Sequence, residues 1–288
     1  MESKCWQITF ANIAEINDLM QDFLDDFFEV NAVNYNDDGS EELVGYIGGD
    51  SFDEKAMHNC ASRYGIKLPS YRIELLTSQN WLKDYVIKFD AFEVADFCVY
   101  GIHQKEAPLS DKIKLQIYAA TAFGSNHQTT RACIEGICEL YHQGHRPTKI
   151  LDMGCGSGIL SLCAAKLWQS AQIVAADIDD EAVVVTLNNA ATNNVQSQIN
   201  AFQSDGYSNS QIKNNAPYQL IMSNILANPL KEFAPSLAQN LSPKGYAIIS
   251  GFVDNQIDEV VNSHKIHGLQ LIKTYSIDNW RAALLYKA

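Results

Sequence analysis

The sequence predicts an α/β chain in two parts: a small α+β domain, then a larger, doubly wound and mainly parallel sheet. Three observations lead there. From about residue 128 to the end, strand-like and helix-like patterns alternate, the signature of a parallel sheet with helices on its faces. In the first 78 residues the patterns follow the order β-α-β-β-α-β, that of a split βαβ unit. The apolar strand Lys149–Met153 runs straight into a turn of alternate glycines and then a helix, the place where open α/β sheets bind ligands.

Taken in order, Lys4–Phe10 is short, aromatic and β-branched, and reads as a strand. Ile13, Ile16, Met20, Phe23 and Phe27 follow at helical spacing, with Asn12 and Glu15 placed as a capping box. Val30–Tyr35 and Leu43–Ile47 are two strands joined by the turn-rich Asn36–Ser40. Ser51 caps a helix that runs to Tyr64, Gly65 stops it, and Tyr71–Leu76 is a strand. This is a ferredoxin-like arrangement over residues 1–78. Trp81–Tyr85 belongs to a linker helix over 79–90, and 91–288 form the larger domain. There, strand-like pieces near 91–100 and 113–119 precede a helix over 128–142 and the strand Lys149–Met153. Helix Ile159–Trp168, strand Ile173–Asp177, helix Glu181–Thr192 and a strand near 199–203 come next. Strand Gln219–Ser223, helix Pro229–Asn240, strand Tyr246–Ser250 and helix Asn255–His264 continue the alternation. Strands near 269–276 and 280–286 close the chain as an antiparallel hairpin at one sheet edge.

Composition narrows the function classes. The chain has 288 residues, 47% of them hydrophobic and 10% aromatic, enough apolar material for packed cores. No apolar run approaches the ~18 residues of a membrane span, and Met1-Glu2-Ser3-Lys4 lacks a signal-peptide pattern. Seven cysteines at irregular spacing fit neither a disulfide framework nor a zinc site, so a reduced, cytoplasmic protein without a metal is expected. The net charge of −13 is concentrated: the first 80 residues hold 15 acids against 5 bases, the other 208 hold 19 against 16. Such a module repels a phosphate backbone and steers a basic protein toward itself; a solvated face that maintains solubility is the competing reading.

Ile150-Leu151-Asp152-Met153-Gly154-Cys155-Gly156-Ser157-Gly158-Ile159 is the strongest local signal. Glycine is required where backbone turns sharply and approaches a ligand closely. Ile159 breaks the dinucleotide fingerprint, and the absence of a following Lys-Ser/Thr pair excludes a P-loop. Asp177 ends the next strand 19 residues after Gly158, the spacing of a carboxylate that accepts hydrogen bonds from ribose hydroxyls. Asp179, Asp180 and Glu181 read as helix-start carboxylates. Asp205-Gly206 reaches an adenine amino group or forms a plain turn. Asn224 follows the apolar Leu220-Ile221-Met222 and lies at the ligand-binding edge of the sheet. His127, Thr129 and Thr130 read as residues at a helix start, and Cys155, with nothing basic near it in sequence, as packing.

Asp152, Gly154 through Gly158 and Asp177 together resemble the cofactor site of the class I S-adenosylmethionine-dependent methyltransferases. A closer resemblance lies in Ser223-Asn224-Ile225-Leu226-Ala227-Asn228-Pro229-Leu230, Ala122-Phe123-Gly124 and His127-Gln128-Thr129-Thr130-Arg131. These stretches are similar to the bacterial ribosomal-protein lysine methyltransferases, whose substrate is the eleventh protein of the large subunit. The resemblance implies a seven-stranded doubly wound class I methyltransferase sheet behind a substrate-recognition domain, with S-adenosylmethionine as cofactor. It implies Thr130, Asp152, Gly154, Cys155, Gly156, Gly158, Asp177, Ile178, Asp205 and Asn224 at the cofactor, and Asn224 beside the methyl acceptor. It further implies a basic ribosomal protein as partner, no nucleic acid, no membrane, and a monomer. In one departure, Gly124-Ser125-Asn126-His127 is a residue shorter than the family's loop and lacks its second glycine.

Overall fold

A computed structural model of the chain describes residues 5–10, 18–28, 30–35, 41–48, 51–76, 89–104, 106–118 and 128–288. The Asn12–Glu15 capping pair, the Asn36–Ser40 turn, the Trp81–Tyr85 helix and the Ala122–His127 loop lie outside these residues. The chain divides into two units, Met1–Tyr85 and Val86–Ala288. Among the described residues no helix is long and apolar enough to cross a membrane.

In the first unit, β1 (Cys5–Phe10), α1 (Asp18–Phe27), β2 (Val30–Tyr35), β3 (Glu41–Gly48), α2 (Glu54–Arg63) and β4 (Tyr71–Leu76) form a sheet of order β2-β3-β1-β4. All neighbouring strands are antiparallel, the ferredoxin-like topology that the element order predicts. The two-residue period of β1 sends Trp6, Ile8 and Phe10 to one face, where they join Phe23, Leu24, Phe28, Leu43 and Met57 in one core. Phe10 meets Phe23 edge-on at 6.3 Å, a favourable aromatic arrangement. One local expectation is corrected. Asp53, not Ser51, caps α2: its carboxylate accepts from the Ala56 amide at 2.9 Å. A cap must directly precede the first helical residue to reach that amide, and Ser51 stands two residues too early. Gly65, at φ +68°, ends the helix with Ile66 N donating to Ala61 O at 3.0 Å, a Schellman closure.

The second unit opens with a small sheet, β5 (Phe92–Val94), β6 (Phe97–Gly101) and β7 (Ile113–Ile117), in which β6 and β7 run parallel. After α3 (Gln128–His142), the main sheet is built from β8 (Lys149–Met153), β9 (Gln172–Asp177), β10 (Ile199–Gln203), β11 (Tyr218–Asn224), β12 (Leu241–Val253), β13 (Leu269–Ile277) and β14 (Trp280–Lys287). Its order is β10-β9-β8-β11-β12-β14-β13. The first five strands are parallel and the closing hairpin antiparallel. Helices α4 (Ile159–Leu167) and α5 (Asp180–Thr192) follow β8 and β9. The short α6 (Ser210–Asn215) precedes β11, and α7 (Ala227–Asn240) and α8 (Ile257–Lys265) complete the set.

Both faces of this sheet are buried. Ile150, Ile173, Ala175, Leu220 and Met222 pack with α3 and α4 on one side. Leu151, Val174, Ala176, Ile221 and Ile249 pack with α7 and α8 on the other. Adjacent residues of one strand thus serve opposite cores, which is why these strands read as continuous apolar runs. Helix α7 begins at Ala227 rather than Pro229, because proline fits the first turn, where its missing amide costs nothing. Helix α6 escapes sequence reading because six residues with only Ile212 buried carry no period.

Candidate functional site

The strand order reverses between β8 and β11, and the registers set three residues side by side at that point. Met153 pairs with Ala176 and with Ser223. The next residues, Gly154, Asp177 and Asn224, therefore emerge together at the carboxyl edge of the sheet, the expected ligand crevice. A cavity of about 670 Å³ opens over them. Its wall comprises the loop Met153–Ser157, Asp177 and Ile178, Ser204–Gly206, Asn224–Leu226, and Thr129 and Thr130 from α3. Ile159 and Leu160 from α4, Pro229, Glu232 and Phe233 from α7, Gly251 and Trp280 complete it.

The glycine loop is shaped by backbone conformation. Gly154, Gly156 and Gly158 sit at φ +76°, +54° and +77°, a region costly to residues with a Cβ. Gly154 N and Cys155 N both donate to Ala176 O, at 2.7 and 3.1 Å, pinning the loop to the end of β9. A Cβ on Gly154 would strike the Ile225 side chain. Gly158 serves packing: a Cβ there would lie 2.9 Å from Thr186 of α5. Cys155 is buried, and that burial pushes its thiol well above the ordinary range, so it remains protonated and inert.

The acids behave differently from one another. Asp177 accepts from Gly156 N at 2.8 Å through one oxygen and from Asp179 N at 3.1 Å through the other. A carboxylate oxygen has two acceptor positions, so each keeps one beside the cavity. Asp152 is absent from the cavity wall. Its Oδ2 accepts from Ser161 N at 3.0 Å and Ser161 Oγ at 2.6 Å, while Oδ1 is buried without a partner. Burial pushes this carboxyl up to about 6, against the lowering effect of the Ser161 bonds. Asp179 caps α5, accepting from Glu181 N at 2.9 Å. Asp205 lines the cavity, next to Ser204, whose hydroxyl donates to Gly206 O at 2.6 Å.

Asn224 is half-buried and donates from Nδ2 to Thr130 Oγ1 at 3.1 Å, joining β11 to the start of α3. Ile178 and Leu226 are 65% and 73% exposed, yet both line the cavity. Apolar groups left in solvent around a concave site are typical of a ligand pocket. The charged residues of the wall, among those described, are Asp177, Asp205 and Glu232, all carboxylates. The structure therefore gathers Thr130, Gly154, Cys155, Gly156, Asp177, Ile178, Asp205 and Asn224 around one cavity and leaves Asp152 and Gly158 behind it. Ser204, Glu232, Phe233, Gly251 and Trp280 join them with no signal of their own in the sequence. Trp280 arrives through the antiparallel register that sets it opposite Val253, which no local pattern signals. Among the described residues no group of three His, Cys, Asp or Glu side chains is placed to hold a metal ion.

Comparison with known proteins meets this geometry. The sequence model of the ribosomal protein L11 methyltransferase family matches residues 9–287. The ribosomal protein L11 methyltransferase of Brucella suis is 33% identical over 268 residues, 92% of each chain. That of Rhodopseudomonas palustris is 31% identical over 216 residues, 75% of this chain and 72% of the other. A crystal structure of ribosomal protein L11 methylase from Lactobacillus delbrueckii subsp. bulgaricus superposes with a TM-score of 0.61 at 24% identity, over 69% of this chain and 99% of that one, and so shares the fold. The chain belongs to the ribosomal protein L11 methyltransferase family.

Proposed function

We propose that the chain transfers methyl groups from S-adenosylmethionine to amino nitrogens of ribosomal protein L11, the lysine ε-amines first among them. The observation that carries this reading is the family match over residues 9–287.

The site fits the cofactor. Asp177 keeps acceptor positions for two ribose hydroxyls, and its orientation is set by the Gly156 and Asp179 amides. The open backbone at Gly154 and Gly156 admits a ligand closely. Ile178 and Leu226 offer apolar flanks for adenine, and Asp205 on the cavity wall would accept from its amino group. When bound, S-adenosylmethionine supplies a methyl group already activated by its sulfonium charge. The protein's share is then proximity and in-line geometry. Asn224, steadied by Thr130, orients the incoming amine with its side-chain carbonyl while its amide is engaged. A lysine amine attacks only when neutral, and its ordinary pKa is ~10.4; enclosure in the cavity favours the neutral form. The proton leaves through water, and no residue is assigned as base. The three carboxylates of the wall favour cationic ligands over anionic ones.

Residues 1–78, with their concentrated acid, recognise the basic ribosomal protein; 79–90 link them to the methyltransferase domain of 91–288. The chain acts as a cytoplasmic monomer without contacting nucleic acid. Asp177→Ala is the direct check on the site: calorimetric titration with S-adenosylhomocysteine should show no measurable binding, and an affinity equal to wild type would remove Asp177 from the cofactor site.

A further inference from the structure

Helix α5 carries a buried polar stripe that the cofactor reading leaves unused. Thr186, Asn189 and Asn193 are spaced by three and four residues and so share one helix face, and all three are buried. Burying amides and hydroxyls costs free energy unless each finds a partner. Here the partners are backbone from other elements, apart from one bond that Asn193 makes to Asn189 O of α5 and a 3.4 Å contact of the Thr186 hydroxyl with the Cys155 sulfur. Thr186 Oγ1 donates to Gly156 O at 3.0 Å. Asn189 Nδ2 donates to Ser157 O at 2.8 Å and to Tyr118 O at 3.0 Å, while its Oδ1 accepts from Tyr118 N at 2.8 Å. Asn193 repeats the grip two residues earlier, donating to Gln116 O at 2.7 Å and accepting from Gln116 N at 3.0 Å.

Two asparagines thus act as a substitute strand for Gln116–Tyr118, satisfying both backbone groups of alternate residues. Among the described residues, Asn189 alone bonds that segment and the glycine loop at once. The geometry admits only an amide in this place. A carboxylate would set oxygen against two carbonyls, and a hydrocarbon would make none of the three bonds.

We infer that Asn189 is a positioning residue for cofactor binding, tying the glycine loop to the 116–118 segment so that the loop is held ready for its ligand. Thr186 reinforces the tie from the same face. The inference rests on the reading that the cavity takes S-adenosylmethionine. Asn193 supplies the control, because it holds the same segment but does not touch the loop.

The experiment compares Asn189→Ser and Asn193→Ser in the full chain by calorimetry with S-adenosylhomocysteine, thermal unfolding, and hydrogen exchange of the unliganded protein. Both variants should lose thermal stability to a similar degree. Asn189→Ser should weaken binding by about tenfold, the equivalent of one lost hydrogen bond, and should speed exchange of the Gly154–Leu160 peptide. Asn193→Ser should leave affinity and that peptide's exchange close to wild type. Equal loss of affinity in both variants, or wild-type affinity and exchange in Asn189→Ser, would overturn the inference. Wild-type protein that binds no S-adenosylhomocysteine would instead overturn the cofactor reading, and the exchange comparison would still decide the tie.

Discussion

Asp152→Asn should make the fold less sensitive to a rise in pH from about 4 to about 6. Asp152 is 1% exposed, receives two hydrogen bonds from Ser161 on one oxygen and none on the other. Burial raises its carboxyl from an ordinary 3.8 to about 6. The folded state therefore holds the proton more tightly than the unfolded chain. Its stabilising contribution is complete below about pH 4 and is lost as pH rises through about 6. The distance from 3.8 to about 6, at roughly 1.4 kcal/mol per tenfold, is on the order of 3 kcal/mol. An asparagine keeps an acceptor for Ser161 and carries no charge, so it lacks this slope. Urea unfolding of wild type and variant across pH 4 to 8 reads the difference directly, because every other titrating group is shared. The variant should gain on wild type as pH rises, by a few kcal/mol in total. Parallel stability curves would refute the claim that Asp152 is a desolvated carboxyl.

Three further outcomes follow from the site. Gly154→Ala places a methyl against Ile225 at a φ of +76°; it should cost about 1–2 kcal/mol in stability and weaken S-adenosylhomocysteine binding, both measurable by thermal shift with and without ligand. Asn224→Leu removes the bond to Thr130 and the amine's orienting group; kcat should fall about a hundredfold, measurable by single-turnover assays at saturating cofactor. Ile178→Ser together with Leu226→Ser should raise KM for the cofactor and leave KM for the protein substrate near wild type.

Much of the site was legible because it is continuous in sequence. The strand, glycine loop and helix of 149–167 form one stretch, and Asp177 ends the very next strand. Parallel register does the rest, since strands of similar length deliver Gly154, Asp177 and Asn224 to one edge. The wall residues from α7 and the hairpin were not legible, because Phe233 and Trp280 reach the cavity only through tertiary packing. Asp152 misleads in the opposite sense. Its neighbour Met153 lines the cavity, but the strand's alternation turns the Asp152 side chain to the other face, toward Ser161 of α4. Thr186, Asn189 and Asn193 resemble ordinary solvent-facing positions of a helix, and only the close approach permitted by Gly158 buries the first of them against the loop.

Methyl transfer to ribosomal protein L11 is the most direct measurement. Purified chain, S-adenosylmethionine and unmodified L11 are incubated together, and L11 is read by intact-mass and peptide mass spectrometry, with the Asp177→Ala chain as the blank. Methyl increments on lysine or α-amino nitrogens that appear with wild type and vanish with the variant are the expected result. An unmodified L11 under conditions where an established relative methylates it would contradict the assignment.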